Sequence, residues 1–228
     1  MLYFLLEPDP NFLAPGSDGQ VRTKICGLRR IGDLAFCQEQ SIDAVGLNFW
    51  PKSKRYLEPA LAATWLGQMP KTPTRVGVFV NEPTSSIQRL LEKGIIEIAQ
   101  LHGDETPEDC AKLKMAGFPV IKAIGVKDSS SLAQLSAFDV GGIVLDAFCP
   151  GDYGGSGKTF NWELALEARE ILGDTPLILS GGLVSANVAE AIQKVRPHAV
   201  DVASGVESAP GVKSKEMIAD FLQTVRSA

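Results

Sequence analysis

The sequence predicts an α/β protein, a single closed (β/α)8 barrel of the TIM-barrel type with a short N-terminal extension. Three observations indicate this fold class. Short apolar runs alternate with amphipathic runs about eight times, the apolar runs are nearly continuous as in strands covered on both faces, and the 228 residues accommodate one such barrel. An open doubly wound sheet is less favoured, because no glycine-rich dinucleotide loop follows the first apolar run.

The composition and charge of the chain limit the classes of protein to which it can belong. Hydrophobic residues make up 45% and charged residues 21% of the chain, which is typical of a globular enzyme. The formal net charge of -5 gives no electrostatic footprint for nucleic acid, and no apolar run approaches the roughly 20 residues of a membrane span. The cysteines lack metal or disulfide spacing, which indicates free thiols. We therefore expect a cytoplasmic protein that binds neither nucleic acid nor membrane.

The first element is the predicted extension, residues 1–22, before a barrel over residues 23–228. Its apolar run, residues 2–6, is short and lacks a basic region before it, so it makes a poor signal peptide. Residues 14–19 have the composition of a loop. We expect a loosely held segment, since termini are often poorly ordered, with an apolar cap on the outside of the barrel as the alternative.

Strands and helices then alternate along the chain. Runs rich in Val, Ile and Leu predict strands at residues 23–28, 44–49, 75–80, 95–101, 120–126, 142–147, 177–180 and 199–204. Apolar residues at helical spacing predict helices at residues 33–40, 59–68, 84–93, 107–116, 129–137, 162–172, 185–195 and 214–226. Thr106 and Ser185 have the position of N-caps, and Gly94 and Gly117 follow helix ends where a left-handed residue is favoured.

Polar residues follow six of the predicted strands. Active sites of such barrels lie at the carboxyl ends of the strands, so these residues are expected to share one site. The segments concerned are residues 24–27, 48–56, 100–103, 145–146, 180–183 and 203–207.

The ends of strands 7 and 8 suggest a phosphate site. Gly181, Gly182, Ser204 and Gly205 would leave backbone N–H groups uncovered, with a helix N-terminus behind them. The alternative is two tight turns that only need positive φ. Residues 154–159 do not have the spacing of a Walker loop; they form either a loop that closes over the substrate and adds N–H donors or a plain linker.

Asp146 and Cys26 are the candidates for acid and base chemistry. Asp146 ends an apolar strand, where partial desolvation suits a general acid, although a helix cap or an ion-pair partner is equally compatible. Cys26 could act as a base if a nearby cation or helix N-terminus lowers its pKa; alone, it would more often be an inert buried thiol. The catalytic interpretation is stronger for the two residues together, because the ends of strands 1 and 6 face each other across the barrel mouth.

Other candidates are less specific. Arg55 lies in a basic loop, and its guanidinium could hold a carboxylate through two parallel hydrogen bonds or simply be solvated. His102 follows strand 4 and is either part of the site or a structural turn residue. His198 precedes the last strand, at the wrong end for function, and is expected to be structural.

Taken together and in order, these motifs resemble the phosphoribosylanthranilate isomerases of tryptophan biosynthesis, from about Thr23 to the C-terminus. The matching segments are Lys24-Ile25-Cys26-Gly27-Leu28, residues 48–56, Val76-Gly77-Val78-Phe79-Val80-Asn81, Gln100-Leu101-His102-Gly103, Leu145-Asp146, residues 154–162, Ser180-Gly181-Gly182-Leu183, residues 201–207 and Pro210-Gly211-Val212-Lys213.

The resemblance implies an Amadori rearrangement of N-(5-phosphoribosyl)anthranilate to 1-(2-carboxyphenylamino)-1-deoxyribulose 5-phosphate, with no cofactor and no metal. It implies that Asp146 protonates the ribose ring oxygen, that Cys26 removes the proton from the second sugar carbon, and that Arg55 holds the anthranilate carboxylate. Backbone around Gly182 and Ser204-Gly205 would hold the phosphate, together with the loop Gly155-Ser156-Gly157.

Two features depart from the family pattern, and other functions stay open. Arg29 stands where the family usually has threonine, and the N-terminal extension is atypical. An indole-3-glycerol-phosphate synthase would need a catalytic lysine on an early strand, and a pentose-phosphate epimerase would need metal-binding histidines, of which this chain has only two. A phosphate-binding barrel without turnover is the remaining alternative, against which the presence of both Cys26 and Asp146 argues.

Overall fold

A computed structural model describes residues 12–14, 20–69, 73–148 and 159–228. Eight parallel strands close into a barrel in the order of the chain, which confirms the predicted fold class. The strands are β1 Arg22–Cys26, β2 Ala44–Asn48, β3 Thr74–Phe79, β4 Ile98–Leu101, β5 Val120–Val126, β6 Gly142–Ala147, β7 Leu177–Leu179 and β8 Ala199–Val202. β4 begins at Ile98 and not at Ile95, because Gly94 takes a φ of +62° and turns the chain after the preceding helix.

The described residues form seven α-helices around the barrel. They are α1 Ile31–Glu39, α2 Pro59–Gln68, α3 Thr84–Glu92, α4 Pro107–Met115, α5 Glu163–Leu172, α6 Ser185–Val195 and α7 Lys215–Arg226. The Thr106 cap of α4 is confirmed, since its side chain accepts the N–H of Asp109. The cap predicted at Ser185 is wrong: Val184 takes the cap position, and its N–H donates to the side chain of Asn187 at 2.8 Å.

The helix predicted over residues 129–137 is also wrong. Two short 3-10 turns, Ser129–Leu132 and Leu135–Ala137, occupy this segment. Asp128 Oδ1 accepts the N–H of Ser130 at 3.0 Å, and the Ser131 hydroxyl accepts the N–H of Lys127 at 3.1 Å. Such side-chain bonds compete with the backbone bonds of an α-helix, which explains the tighter turns.

A short antiparallel hairpin that the sequence did not indicate follows β8. Its strands are β9 Glu207–Ala209 and β10 Val212–Lys213, and Gly211 turns between them with a φ of +76°. The hairpin places two charged residues, Glu207 and Lys213, beside the carboxyl ends of the barrel strands.

The amino-terminal half of the barrel interior is apolar. Phe12 is fully buried there among the first inward residues of the strands, such as Ala44, Ile98 and Ala199. The ring nitrogen Nε2 of His198 lies 2.7 Å from the carbonyl oxygen of Phe12, in keeping with a structural role for this histidine. Phe12 thus closes the end of the barrel opposite the strands' carboxyl ends. Most of residues 1–22 lie outside the described ranges, so the division into extension and barrel stays a prediction.

Within the described ranges, no helix has the length and apolar character needed to cross a membrane.

Candidate active site

A cavity of about 750 Å³ opens at the carboxyl ends of the strands. Four of the predicted side chains line it together: Cys26, Arg55, His102 and Asp146. The wall also includes Asn48, Trp50, Lys52, Ser53, Lys54, Val78, residues 180–183, residues 201–204 and residues 207–210. One concave site therefore joins elements from both sides of the barrel.

Cys26 occupies the end of β1, beside Gly46 of the neighbouring strand β2. A Cβ atom on Gly46 would lie 2.6 Å from Cys26 Sγ, so glycine leaves the space that the thiol fills. The cysteine is partly exposed to the cavity, whereas Cys37 and Cys110 are free thiols buried elsewhere.

The charges around Cys26 act in both directions. Burial raises the pKa of the thiol, the positive charge of Lys24 lowers it, Asp201 raises it, and Lys213 and Arg55 lower it. The net effect is a raised pKa. Cations close to Cys26, as predicted, are present, but burial and the charge of Asp201 together outweigh their effect on the pKa. Arg29 is exposed and its side chain lies at the hairpin turn near Gly211, not in the cavity wall.

Asp146 is the penultimate residue of β6 and is buried, and its two carboxylate oxygens have different partners. Oδ1 accepts the N–H of Ala147 at 2.8 Å, and Oδ2 lies 3.4 Å from Nε2 of His102. The other ring nitrogen of His102 is 2.9 Å from Nε2 of Gln100. The histidine is thus held between Gln100 and Asp146, and it orients the carboxyl group at the cavity edge.

A buried ion pair that the sequence analysis missed lies beneath Cys26. Lys24 of β1 stands in register with Asp201 of β8, and Nζ is 2.9 Å from Oδ2. Burial lowers the pKa of Lys24, but the attraction of Asp201 and Cys26 outweighs it, so the net pKa is raised. A charged residue inside an apolar strand of a closed barrel needs a buried partner. The charge of Lys24 in the first predicted strand was therefore a signal from which a buried ion pair could have been inferred.

Arg55 lies against the end of β1 and is held by a second charged network. Its Nε and Nη2 donate to the two oxygens of Glu207 at 2.7 and 2.8 Å, and Lys213 Nζ donates to Glu207 Oε1 at 2.9 Å. Burial raises the pKa of Glu207, but the hydrogen bond from Arg55 and the charge of Lys213 outweigh it and the net pKa is lowered. Gly27 makes room, since a Cβ there would lie 2.4 Å from Arg55 Cδ.

The predicted phosphate residues form one rim of the cavity. Gly181 and Gly182 have φ values of +84° and +62°, and both line the cavity, as does Ser204. Gly205 lies just behind, where a Cβ would be only 1.9 Å from the carbonyl oxygen of Leu183, so the two loops are in close contact. Among the described residues, no backbone carbonyl in a turn or loop accepts a hydrogen bond from the N–H of Gly181, Gly182, Ser204 or Gly205.

In many barrels of this fold, backbone N–H groups of the loops after strands 7 and 8 hold a phosphate group. Helix α6 begins three residues after Gly182, and Asn187 Nδ2 in its first turn donates to the carbonyl oxygen of Gly182 at 3.1 Å. The predicted loop Gly155-Ser156-Gly157 lies outside the described residues.

Fold and site together define a (β/α)8 barrel whose cavity has a glycine-rich rim, a thiol and a carboxyl group. Comparisons with known proteins identify the family. Residues 23–224 match the family model described as N-(5'phosphoribosyl)anthranilate (PRA) isomerase. The chain therefore belongs to the N-(5'-phosphoribosyl)anthranilate isomerase family, as the sequence motifs predicted.

Individual relatives agree with this assignment. The isomerase of Myxococcus xanthus is 42% identical over 211 residues, 91% of this chain and 97% of that protein, and the isomerase of Moorella thermoacetica is 45% identical over 209 residues, 91% of each chain. The crystal structure of the Thermotoga maritima isomerase is 42% identical, with a TM-score of 0.82, and covers 92% of this chain and 100% of its own.

A further solved isomerase is a complex with reduced 1-(o-carboxyphenylamino)-1-deoxyribulose 5-phosphate. It is 38% identical, has a TM-score of 0.79 and covers 92% of this chain and 100% of its own.

Proposed function

We propose that this chain isomerises N-(5'-phosphoribosyl)anthranilate in tryptophan biosynthesis, with Asp146 as the general acid and Cys26 as the general base. The main support for the proposal is that these two groups line the same cavity as Arg55 and the glycine rim. The substrate has a phosphate, a sugar and an aromatic carboxylate, and the cavity has a complementary group for each.

The reaction begins with ring opening. Asp146 gives its proton to the ring oxygen of the ribose, the bond between this oxygen and the first carbon breaks, and the nitrogen lone pair forms a Schiff base. His102 and the N–H of Ala147 hold the carboxyl group in position for this transfer. A positioned acid contributes roughly 10²- to 10⁴-fold to such a step.

Proton removal from the second carbon follows. The Cys26 thiolate takes this proton, and the electrons of the broken C–H bond move into the Schiff base to give an enolamine. The enol then loses its hydroxyl proton and the first carbon gains one, which leaves the ketone. Lys24, Lys213 and Arg55 favour the thiolate against the effect of burial.

The two ends of the substrate are held apart. We assign the phosphate to the rim of Gly181, Gly182, Ser204 and Gly205, with the loop Gly155-Ser156-Gly157 as an additional donor. We assign the anthranilate carboxylate to Arg55, because Glu207 fixes the plane of its guanidinium in the cavity wall. Anchoring at both ends fixes the ribose between acid and base, and such positioning lowers the barrier.

A reducing, cytoplasmic location belongs to the same proposal. It is supported by the need for a free thiol at Cys26, because cysteines persist as thiols in reducing compartments.

Fluorescence of the anthranilate group tests the function directly. With wild-type protein we expect the signal of N-(5'-phosphoribosyl)anthranilate to decay by turnover, whereas Asp146→Asn and Cys26→Ala lower kcat by at least about a hundredfold, since each lacks one proton-transfer group. Cys110→Ala, which truncates a buried thiol away from the cavity, is the matched control and keeps its kcat. Equal inactivity of wild type and Asp146→Asn would instead indicate a phosphate-binding barrel without turnover.

A further inference from the structure

We propose that Asp201 is a substrate-binding residue whose free carboxylate oxygen, Oδ1, accepts a hydrogen bond from a hydroxyl group of the sugar. The inference rests on the proposed function, because it takes a sugar phosphate as the ligand. It adds a contact to the middle of the substrate, whereas the phosphate rim and Arg55 hold the two ends.

Asp201 lies in the floor of the cavity. Side chains on a strand alternate between its two faces, so Lys24 and Cys26 both point into the barrel, with Lys24 one layer deeper. Asp201 stands in register with Lys24 on the adjacent strand β8, and it lines the cavity together with Cys26 and Asp146. A group at this depth faces a ligand bound between acid and base.

The two oxygens of the carboxylate have different surroundings. Oδ2 accepts a hydrogen bond from Lys24 Nζ at 2.9 Å. Oδ1 is buried and has no hydrogen-bond partner among the described residues. A buried acceptor without a partner costs free energy, so such an atom in a cavity wall indicates a donor that arrives with the ligand.

Rotation of the Asp201 carboxylate does not remove the unpaired acceptor. Rotation of a carboxylate only exchanges its two oxygens, and both are acceptors. Two other buried polar atoms in the described part of the chain also lack partners, Gln100 Oε1 and Trp162 Nε1, but neither residue lines the cavity.

The donor is identified by elimination among the groups of the substrate. Phosphate and carboxylate are acceptors, and the negative charge of Asp201 repels both. The amine N–H adjoins the aromatic carboxylate and is drawn with it towards Arg55. The sugar hydroxyls are the donors that remain, and they lie between the two anchored ends. Asp201 Oδ1 is left as the acceptor for such a hydroxyl, because Lys24 Nζ donates to Oδ2.

Two ligands separate a hydroxyl contact from a structural role. The first is reduced 1-(o-carboxyphenylamino)-1-deoxyribulose 5-phosphate, and the second is 5-(o-carboxyphenylamino)pentyl phosphate, which keeps the amine, carboxylate and phosphate but has no hydroxyl. For Asp201→Asn we expect calorimetric affinity for the first ligand to fall by about tenfold or more, as is usual for a hydrogen bond to a charged group. Affinity for the second ligand stays within about twofold.

A double variant and a control complete the test. Lys24→Met with Asp201→Leu replaces both members of the pair by apolar side chains, which avoids a lone buried charge, and the same selective loss is expected. Asp43→Asn removes a carboxylate paired with Arg22 near the start of β1 and is expected to bind both ligands normally.

Equal weakening of both ligands, or of neither, in the two Asp201 variants would overturn the assignment. Wild-type protein that binds neither ligand would overturn the proposed function itself, and the assignment with it.

Discussion

The chemistry of Cys26 depends on a balance between burial and three nearby cations. Burial and the negative charge of Asp201 together raise the pKa of the thiol more than Lys24, Lys213 and Arg55 lower it, so the resting group is mainly the protonated thiol near neutral pH. The proposed base is the thiolate, and the fraction of thiolate grows as pH rises through the raised pKa. Activity and reactivity of this residue should therefore share one pH dependence.

We predict that alkylation of Cys26 by iodoacetamide is slow at pH 7 and accelerates as pH rises beyond the ordinary range of a free thiol, about 8.5. Peptide mass spectrometry at a series of pH values measures the rate, with glutathione as the reference thiol. The logarithm of kcat/KM should rise over the same interval. A midpoint for Cys26 at or below that of glutathione would contradict the dominance of burial.

Pairing between β1 and β2 sets the position of the Cys26 thiol. Gly46 lies beside Cys26, and the thiol fills the space that a side chain would take. Only the absence of a Cβ is needed at this position, because Gly46 does not adopt a positive φ.

We predict that Gly46→Ala lowers kcat by about a hundredfold, since a displacement of about 1 Å in a reacting group has effects of that size. Gly67→Ala is the matched control: Gly67 lies in α2, nothing surrounds its Cβ position within 4 Å, and the change should stabilise the helix by roughly 0.5 to 1 kcal/mol. Steady-state kinetics and urea unfolding of both variants check the prediction. Normal kcat in Gly46→Ala would show that the thiol tolerates displacement.

Sequence patterns predicted the elements that bury a long apolar stripe and missed those that local polar bonds define. The strands β5 and β6 and the helices α2 and α6 have the predicted limits. The 3-10 turns at residues 129–137 depend on Ser and Asp side-chain bonds, and β9 and β10 are too short and polar for a periodic signal.

The residues of the candidate site could likewise be predicted only in part. Cys26, Asp146, Arg55 and His102 could be predicted because barrels bring strand ends together. The charge of Lys24 indicates a buried partner, but the identity of that partner depends on the register between the adjacent strands β1 and β8, and Asp201 lies 177 positions away in the chain.

At the scale of the whole molecule, the two ends of the barrel differ in character. The carboxyl end has the charged cavity, and the amino end is filled by apolar side chains that include Phe12. Stability and activity are therefore expected to respond to different substitutions, as is general for this fold.

We predict that Phe12→Ala lowers the free energy of unfolding by roughly 3 to 5 kcal/mol, the usual cost of truncating a buried phenylalanine, and leaves kcat unchanged. Leu61→Ala is the control, because Leu61 is 46% exposed on α2 and its truncation removes little buried surface. Urea denaturation followed by circular dichroism measures both. An unchanged midpoint for Phe12→Ala would mean that the barrel does not depend on this contact.

The proposed mechanism requires Cys26 and Asp146 to act on one ribose whose phosphate is held by the glycine rim. A crystal structure with reduced 1-(o-carboxyphenylamino)-1-deoxyribulose 5-phosphate tests it most directly. We predict phosphate oxygens within hydrogen-bond distance of the N–H groups of Gly182 and Gly205, and the second sugar carbon about 3.5 Å from Cys26 Sγ, as a near-attack geometry requires. A phosphate bound elsewhere, or a second sugar carbon out of reach of the thiol, would contradict the proposed mechanism.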